Sequence, residues 1–258
     1  MAIHELTVQH SHHWTDRTFS FRTNRPAEFR FRNGEFAMIG LDTPSGRVMR
    51  AYSIASPNWA DYLEFLSIKV PDGPLTSHLQ NVTEGDTVLM NSKAVGTLVL
   101  DTLNPGRNLW LFATGTGLAP FMSVVQDPET YEAYEKVVLV HTVRTLAEHA
   151  YRDTLSSLRH HEILGELIEG KFVYVPTVTQ QWDTSGFAMH GRCSNLLKAG
   201  QLYEDTQLPA FDVNSDAAMI CGSTAMNTEF IEYFESIGGS CGSASERGCY
   251  VYEKAFVD

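Results

Sequence analysis

The sequence predicts two domains, an antiparallel β-barrel over residues 1–103 and an α/β domain with a parallel sheet over residues 104–258. Three observations lead there. Before residue 100, short runs rich in β-branched and aromatic residues alternate with turn signals. After it, apolar runs alternate with stretches of helical spacing. Between the two lies Asn104-Pro105-Gly106-Arg107, a turn-rich segment that reads as the linker.

The barrel strands are expected at Thr18–Arg22, Glu35–Leu41, Val48–Ala55, Leu63–Val70 and Thr87–Asn91. Asn33-Gly34, Pro44-Ser45-Gly46, Pro57-Asn58 and Glu84-Gly85-Asp86 separate them as turns. His10, His12 and His13 alternate along an expected edge strand, which places them in solvent rather than on a metal. In the second domain the buried strands are expected at Leu109–Ala113, Lys136–Val143, Lys171–Pro176 and Ala217–Cys221. A helix is expected over Leu118–Gln126, with Pro120 in its first turn, and another over Thr145–Arg159. His160-His161 would end the latter, where cationic side chains suit the helix dipole.

Composition narrows the function classes. Apolar residues make up 43% and charged residues 19% of the 258, the range of a globular protein. The start lacks a basic n-region and an apolar h-region, and no apolar run reaches membrane-spanning length. The four cysteines, Cys193, Cys221, Cys241 and Cys249, form no CxxC pair, so no metal centre is expected, and reduced thiols in a cytoplasm are the simplest reading. Net charge is −12, with 9 Lys/Arg against 10 Asp/Glu in residues 1–100 and 10 against 21 afterwards. That balance excludes a general nucleic-acid surface. Arg22, Arg25, Arg30, Arg32, Arg47, Lys69 and Lys93 read either as a local cationic patch or as scattered surface charges.

The chemistry-bearing residues fall in two groups. Gly115-Thr116-Gly117-Leu118-Ala119-Pro120 follows a buried strand and opens a helix, the Rossmann-like arrangement in which backbone approaches a pyrophosphate and free N–H groups face it. Arg144 follows the next strand, where an NAD-selective site places an acidic residue; an arginine suits a 2′-phosphate. The alternative reading is a surface residue starting the helix Thr145–Arg159. Arg192 reads as a second cation for that phosphate or as a loop arginine. In the first domain, Arg50-Ala51-Tyr52-Ser53 sits at a strand end. Tyr52 can stack on an isoalloxazine, Ser53 can hydrogen-bond its reactive edge, and Arg50 can pair with a diphosphate. Lys69 to Leu79 runs from a strand through a proline–glycine turn into a short helix, which can hold the same diphosphate. As pattern alone, these are also an ordinary strand end and an ordinary helix start.

Taken in order, these motifs resemble those of the plant-type ferredoxin–NADP reductases, specifically the bacterial kind that also uses flavodoxin. The resemblance rests on Arg50–Ser56, Ser67–Val70, Gly73–Ser77, Gly96-Thr97-Leu98, Thr114–Pro120, Val143-Arg144, Pro176–Thr179, Gly191-Arg192, Met219–Ser223 and Ala255-Phe256-Val257. It implies FAD in the barrel, NADP(H) on the α/β domain, and ferredoxin or flavodoxin as the one-electron partner. Arg50 and Ala51 would lie along the FAD, Tyr52 would stack on the flavin and Ser53 would approach its N5. Ile68 and Val70 would line the flavin pocket, and Leu75 with Thr76 would hold the diphosphate. Thr116 would sit where nicotinamide and flavin meet. Val143, Arg144, Thr179 and Arg192 would surround the NADP nucleotide, while Cys221 and Gly222 would abut the nicotinamide. Ala255 and Phe256 would close the other face of the FAD as the C-terminal tail returns to it. Tyr52, Ser53, Cys221 and Ala255 are thus the residues expected at the reacting atoms. Without the resemblance, Cys221 reads as a small buried residue. The family also implies a cytoplasmic, monomeric protein.

Two departures stand out. Bacterial relatives carry arginine and glutamate after the Pro-Thr-Val-Thr segment; here the pair is Gln180-Gln181, so one expected 2′-phosphate cation is absent. Lys93-Ala94-Val95-Gly96 also differs from the family's usual lysine–proline–threonine–glycine. Two alternatives stay open on sequence grounds: a flavin NAD(P)H reductase with another acceptor, and a flavin-binding redox sensor with little turnover.

Overall fold

The computed structural model describes residues 2–162 and 164–255. The first sheet contains β1 (Ile3–His13), β2 (Thr18–Asn24), β3 (Phe36–Thr43), β4 (Gly46–Ser53), β5 (Tyr62–Ile68) and β6 (Thr87–Asn91). Their order is β4-β3-β6-β1-β2-β5, every pair antiparallel. The outer strands meet through a bridge between Ile54 and Phe65, which curls the sheet into a barrel. Leu6, Val8, Phe19, Phe21, Ile39 and Phe65 fill its interior without solvent exposure.

β1 has two neighbours, but each along a different half. Its first half pairs with β6 and its second half, carrying His10, His12 and His13, pairs with β2 alone. The three histidines therefore lie on a half-strand with one free side, and the described residues contain no cluster able to hold a metal.

The second sheet contains β7 (Gly106–Thr114), β8 (Tyr134–Val143), β9 (Phe172–Val178), β10 (Met189–His190), β11 (Asp216–Gly222) and β12 (Tyr250–Lys254), all parallel in the order β10-β9-β8-β7-β11-β12. Among the described residues the α-helices are α1 (Thr76–Leu79), α2 (Ala119–Val124), α3 (Pro128–Ala133), α4 (Arg152–Ser157), α5 (Gly165–Ile168), α6 (Cys193–Lys198), α7 (Gln201–Thr206) and α8 (Thr224–Ser236). One core cluster joins α2 to α5 against the sheet and another joins α6 to α8, so the sheet is covered on both faces. The chain leaves β7 toward β8 on one side and reaches β11 on the other. That reversal creates a crevice at the carboxyl ends of β7 and β11, where open α/β sheets bind ligands.

Two expected segments differ. Gly106 and Arg107 belong to β7, where the Arg107 N–H donates to Ser215 O and its guanidinium to Asp216, so only Asn104 and Pro105 of the expected linker lie outside the second sheet. The expected helix Thr145–Arg159 is broken. A 3-10 turn spans Leu146–Glu148, Tyr151 then takes a left-handed φ of +59°, and α4 begins at Arg152. Tyr151 is buried against Trp14, with ring centroids 4.7 Å apart, and its phenol reaches Glu64 of the barrel. Burying that ring outweighs continuing the helix.

Further contacts lock the two sheets together. Asn33 Nδ2 donates to Asp127 Oδ2 at 2.8 Å, and Gly34 N–H donates to Ser123 Oγ at 2.9 Å. Gly34 has φ +97°, and a Cβ there would lie 1.7 Å from Leu98 O, so this close approach admits only glycine.

Candidate nucleotide and flavin site

The glycine turn sits at the crevice. β7 ends at Thr114, a 3-10 turn covers Gly115–Leu118, and α2 follows with Pro120 in its first turn, where a missing N–H costs no bond. Gly115 has φ +53° with open space around it. A Cβ on Gly117 would lie 2.1 Å from Cys221 O, and one on Gly222 would lie 2.1 Å from Thr114 Oγ1. These glycines let the ends of β7 and β11 touch, which brings Thr116, Cys221 and Gly222 together. Cys221 is buried, and burial pushes its thiol well above the ordinary range, so it stays protonated at neutral pH. The Ala255 N–H donates to Gly222 O at 3.0 Å, anchoring the chain as it leaves β12. Phe256 lies outside the described residues.

His141 supports the same turn from below. Its Nε2 is 3.0 Å from Gly115 O, and because a carbonyl only accepts, that nitrogen carries the proton. Nδ1 then faces His149 Nδ1 at 3.4 Å as an acceptor. Burial holds His141 down to about 3 and His149 down to about 4, so both are neutral. The sequence offered no signal for this pair.

On the barrel side, Arg50, Ala51, Tyr52 and Ser53 end β4, opposite Ile39, Met38, Ala37 and Phe36 of β3. Tyr52 Oη is 3.1 Å from Ser67 Oγ on β5, and burial raises its phenol pKa. Arg50 Nη1 donates only to the neighbouring Met49 O, and no carboxylate pairs with it among the described residues. It is thus free to meet an anion. After β5, Thr76 Oγ1 is 3.2 Å from Val70 O, folding Gly73 and Pro74 into a tight turn before α1. A Cβ on Gly73 would lie 2.4 Å from that hydroxyl. Leu75 is buried beneath, whereas Val70 is exposed. An unpaired arginine and an anchored tyrosine beside a turn with glycine at its closest approach fit a flavin diphosphate and ring.

Two cavities open along the crevice. One, of about 210 Å³, is lined by Ile68 and Lys69 from the barrel and by Gly115, Thr116, Val143 and Arg144 from the α/β domain. The other, of about 410 Å³, continues from Gly115 past Thr179 to Arg192 and Ser223. Thr179 N–H donates to Val143 O at 3.1 Å and Gln180 N–H to Arg144 O at 2.9 Å, which seats Gln180 beside the arginine. Two carboxylates missed in the sequence share the larger cavity. Glu148 pairs with Arg144, and Glu229 lies 3.7 Å from Arg192. The four-residue spacing of Arg144 and Glu148 was a readable signal; Glu229, distant in sequence, gave none.

The cationic patch is largely committed. Arg22 pairs with Glu64, Arg32 with Glu35 and Asp101, and Arg47 with Asp42, while Arg25, Arg30 and Lys69 donate to carbonyls. Lys93 is exposed and unpaired among the described residues.

A barrel joined to a parallel sheet with a glycine turn at its switch point defines a two-domain flavin and dinucleotide oxidoreductase. An oxidoreductase FAD-binding domain matches residues 4–97 and an oxidoreductase NAD-binding domain matches residues 111–231. The ferredoxin–NADP reductase of Pseudomonas aeruginosa is 49% identical over 96% of this chain and 95% of its own, and the flavodoxin/ferredoxin–NADP reductase of Rhodobacter capsulatus is 48% identical over 97% and 92%. A ferredoxin–NADP reductase from Neisseria gonorrhoeae, solved with bound FAD and NADP, superposes with a TM-score of 0.90 at 27% identity, covering 99% of this chain and 100% of that one. The chain belongs to the ferredoxin–NADP reductase family.

Proposed function

We propose that this protein is a ferredoxin/flavodoxin–NADP reductase that links NADPH to a one-electron protein carrier. One observation carries the reading: Ile68, from the strand leading to the diphosphate turn, and Thr116, from the glycine turn, line a single cavity with Arg144. A flavin on the barrel and a dinucleotide on the α/β domain would meet there. Bound FAD would supply hydride exchange with the nicotinamide and single-electron exchange with the carrier.

The chain's own residues bind and align. Arg50, Leu75 and Thr76 hold the FAD diphosphate, Ala51 lies along it, and Tyr52 stacks on the ring with Ile68 and Val70 beside it. Ser53 hydrogen-bonds the reactive edge. Thr116, Cys221 and Gly222 seat the nicotinamide, and Val143, Arg144, Thr179 and Arg192 hold the remainder of NADP(H). Ala255 and Phe256 would cover the FAD and give way to the nicotinamide, so removing residues 255–258 is expected to change NADP affinity and hydride rate. The boundary falls near 103/104, with the flavin on the first side. Cys193, Cys221 and Cys249 are buried free thiols, which supports a reducing, cytoplasmic setting. The protein works as a monomer.

The test is NADPH-driven reduction of a [2Fe–2S] ferredoxin and of a flavodoxin by the FAD-loaded protein. Rapid reduction of either supports the assignment. Reduction of small-molecule acceptors without either carrier would move it to a flavin reductase, and negligible turnover with all acceptors would favour a sensor.

A further inference from the structure

The larger cavity is lined by two arginines and two carboxylates. Arg144 N–H and Nε donate to Glu148 Oε2 at 3.0 and 3.2 Å, and Nη2 donates to Glu148 Oε1. Across the cavity, Arg192 Nη1 lies 3.7 Å from Glu229 Oε1, while Ser194 Oγ donates to Glu229 Oε2. The cations are therefore not free donors awaiting an anion. Each shares its charge with a carboxylate that lines the same space.

This arrangement serves two ligand chemistries. A 2′-phosphate approaching Arg144 and Arg192 gains charge-assisted hydrogen bonds and meets two carboxylates at close range. A ribose diol without that phosphate finds the same carboxylates as acceptors, the role an acidic residue plays in NAD-selective sites. Gln180, seated beside Arg144, adds no positive charge to offset them.

We propose that Glu148 and Glu229 are specificity-determining residues that oppose the two arginines and narrow the preference for 2′-phosphorylated over unphosphorylated dinucleotides. This rests on reading the cavity as the NADP(H) site. Glu229 is the cleaner determinant, because Glu148 also accepts the Arg144 N–H and so holds the turn after β8.

The test uses isothermal titration of the FAD-loaded full chain with adenosine 2′,5′-bisphosphate and with 5′-AMP. Glu229→Gln keeps the acceptor for Ser194 and removes the charge; Glu148→Gln keeps the acceptor for the Arg144 N–H. Each is expected to tighten the bisphosphate about two- to five-fold, the size of a part-exposed charge interaction, with 5′-AMP unchanged or weaker. An unchanged or lowered ratio of the two affinities in both variants would overturn the proposal. Arg192→Ala separates that failure from failure of the underlying reading. If the bisphosphate binds and Arg192→Ala weakens it while both glutamine variants leave the ratio alone, the arginine site stands and the glutamates are not determinants. If the bisphosphate fails to bind the unaltered protein, the cavity is not the NADP(H) site and the proposal falls with it.

Discussion

The phenol of Tyr151 donates to Glu64 Oε1 at 3.0 Å, joining the segment after β8 to strand β5 of the barrel. Glu64 is buried and its other oxygen takes the Arg22 Nε at 3.0 Å. Removing the phenol leaves a buried carboxylate oxygen without a donor. Tyr151→Phe is expected to lower stability by about 1–2 kcal/mol. A urea titration checks this through the transition midpoint, and an unshifted midpoint would mean that water replaces the phenol without cost.

A second buried anion pins the start of β11 to β7. The Asp216 side chain has no solvent exposure and accepts from Arg107 Nη2 at 2.9 Å, Asn108 Nδ2 at 2.9 Å and Asp212 N–H at 3.0 Å. Asp216→Ala strands those donors, and a loss of about 3 kcal/mol is expected, at the lower end for broken buried pairs because Arg107 keeps partial access to water. Thermal unfolding of the variant reads it directly.

The buried histidines predict acid lability. His141 and His149 titrate near 6.5 when unfolded and are held to about 3 and about 4 in the fold. The unfolded chain therefore binds protons first as pH falls, so stability is present above pH 6.5 and is lost on the way down to about 3. For His141 alone the loss is on the order of 4 kcal/mol. His141→Asn removes that titration. Unfolding midpoints measured from pH 7 to pH 4 should be flatter in the variant; parallel curves would show that His141 does not drive the effect.

Carrier docking should separate two exposed cations of the barrel. Arg47 is held bidentately by Asp42, at 2.7 and 2.9 Å, whereas Lys93 has no partner among the described residues. An acidic carrier would feel Lys93 more. Lys93→Glu is expected to slow carrier reduction at least about threefold at low salt, with NADPH oxidation by a small acceptor unchanged. Arg47→Glu should do less. Equal effects of both on both reactions would exclude this docking face.

Much of this was legible in the sequence. The β-branched runs and turn dipeptides located the barrel strands, because residues with stiff χ1 and glycines at positive φ report local backbone directly. The glycine turn after Asn108–Ala113 was legible for the same reason. What escaped depends on tertiary contact. Nothing local indicates that Tyr151 leaves its helix to pack on Trp14. Nor does any spacing reveal that Glu229 will face Arg192, or that His141 and His149 will share a buried proton. The alternation of His10, His12 and His13 was legible too: their half of β1 pairs with β2 alone and all three are exposed, while the pairing of the first half with β6 had no local signal. Gly106 and Arg107 read as linker because proline and glycine signal a turn, yet Asp216 supplies the partner that draws Arg107 into β7.

The most direct measurement is anaerobic titration of the FAD-loaded protein with NADPH and, in parallel, NADH, following the flavin absorption band. Fast bleaching by NADPH and slower bleaching by NADH is expected, with a modest ratio because Gln180 supplies no cation and the arginines share carboxylates. Comparable bleaching by both would keep the reductase and shift its specificity. A protein that takes up no FAD, or whose flavin neither nucleotide reduces, would contradict the assignment.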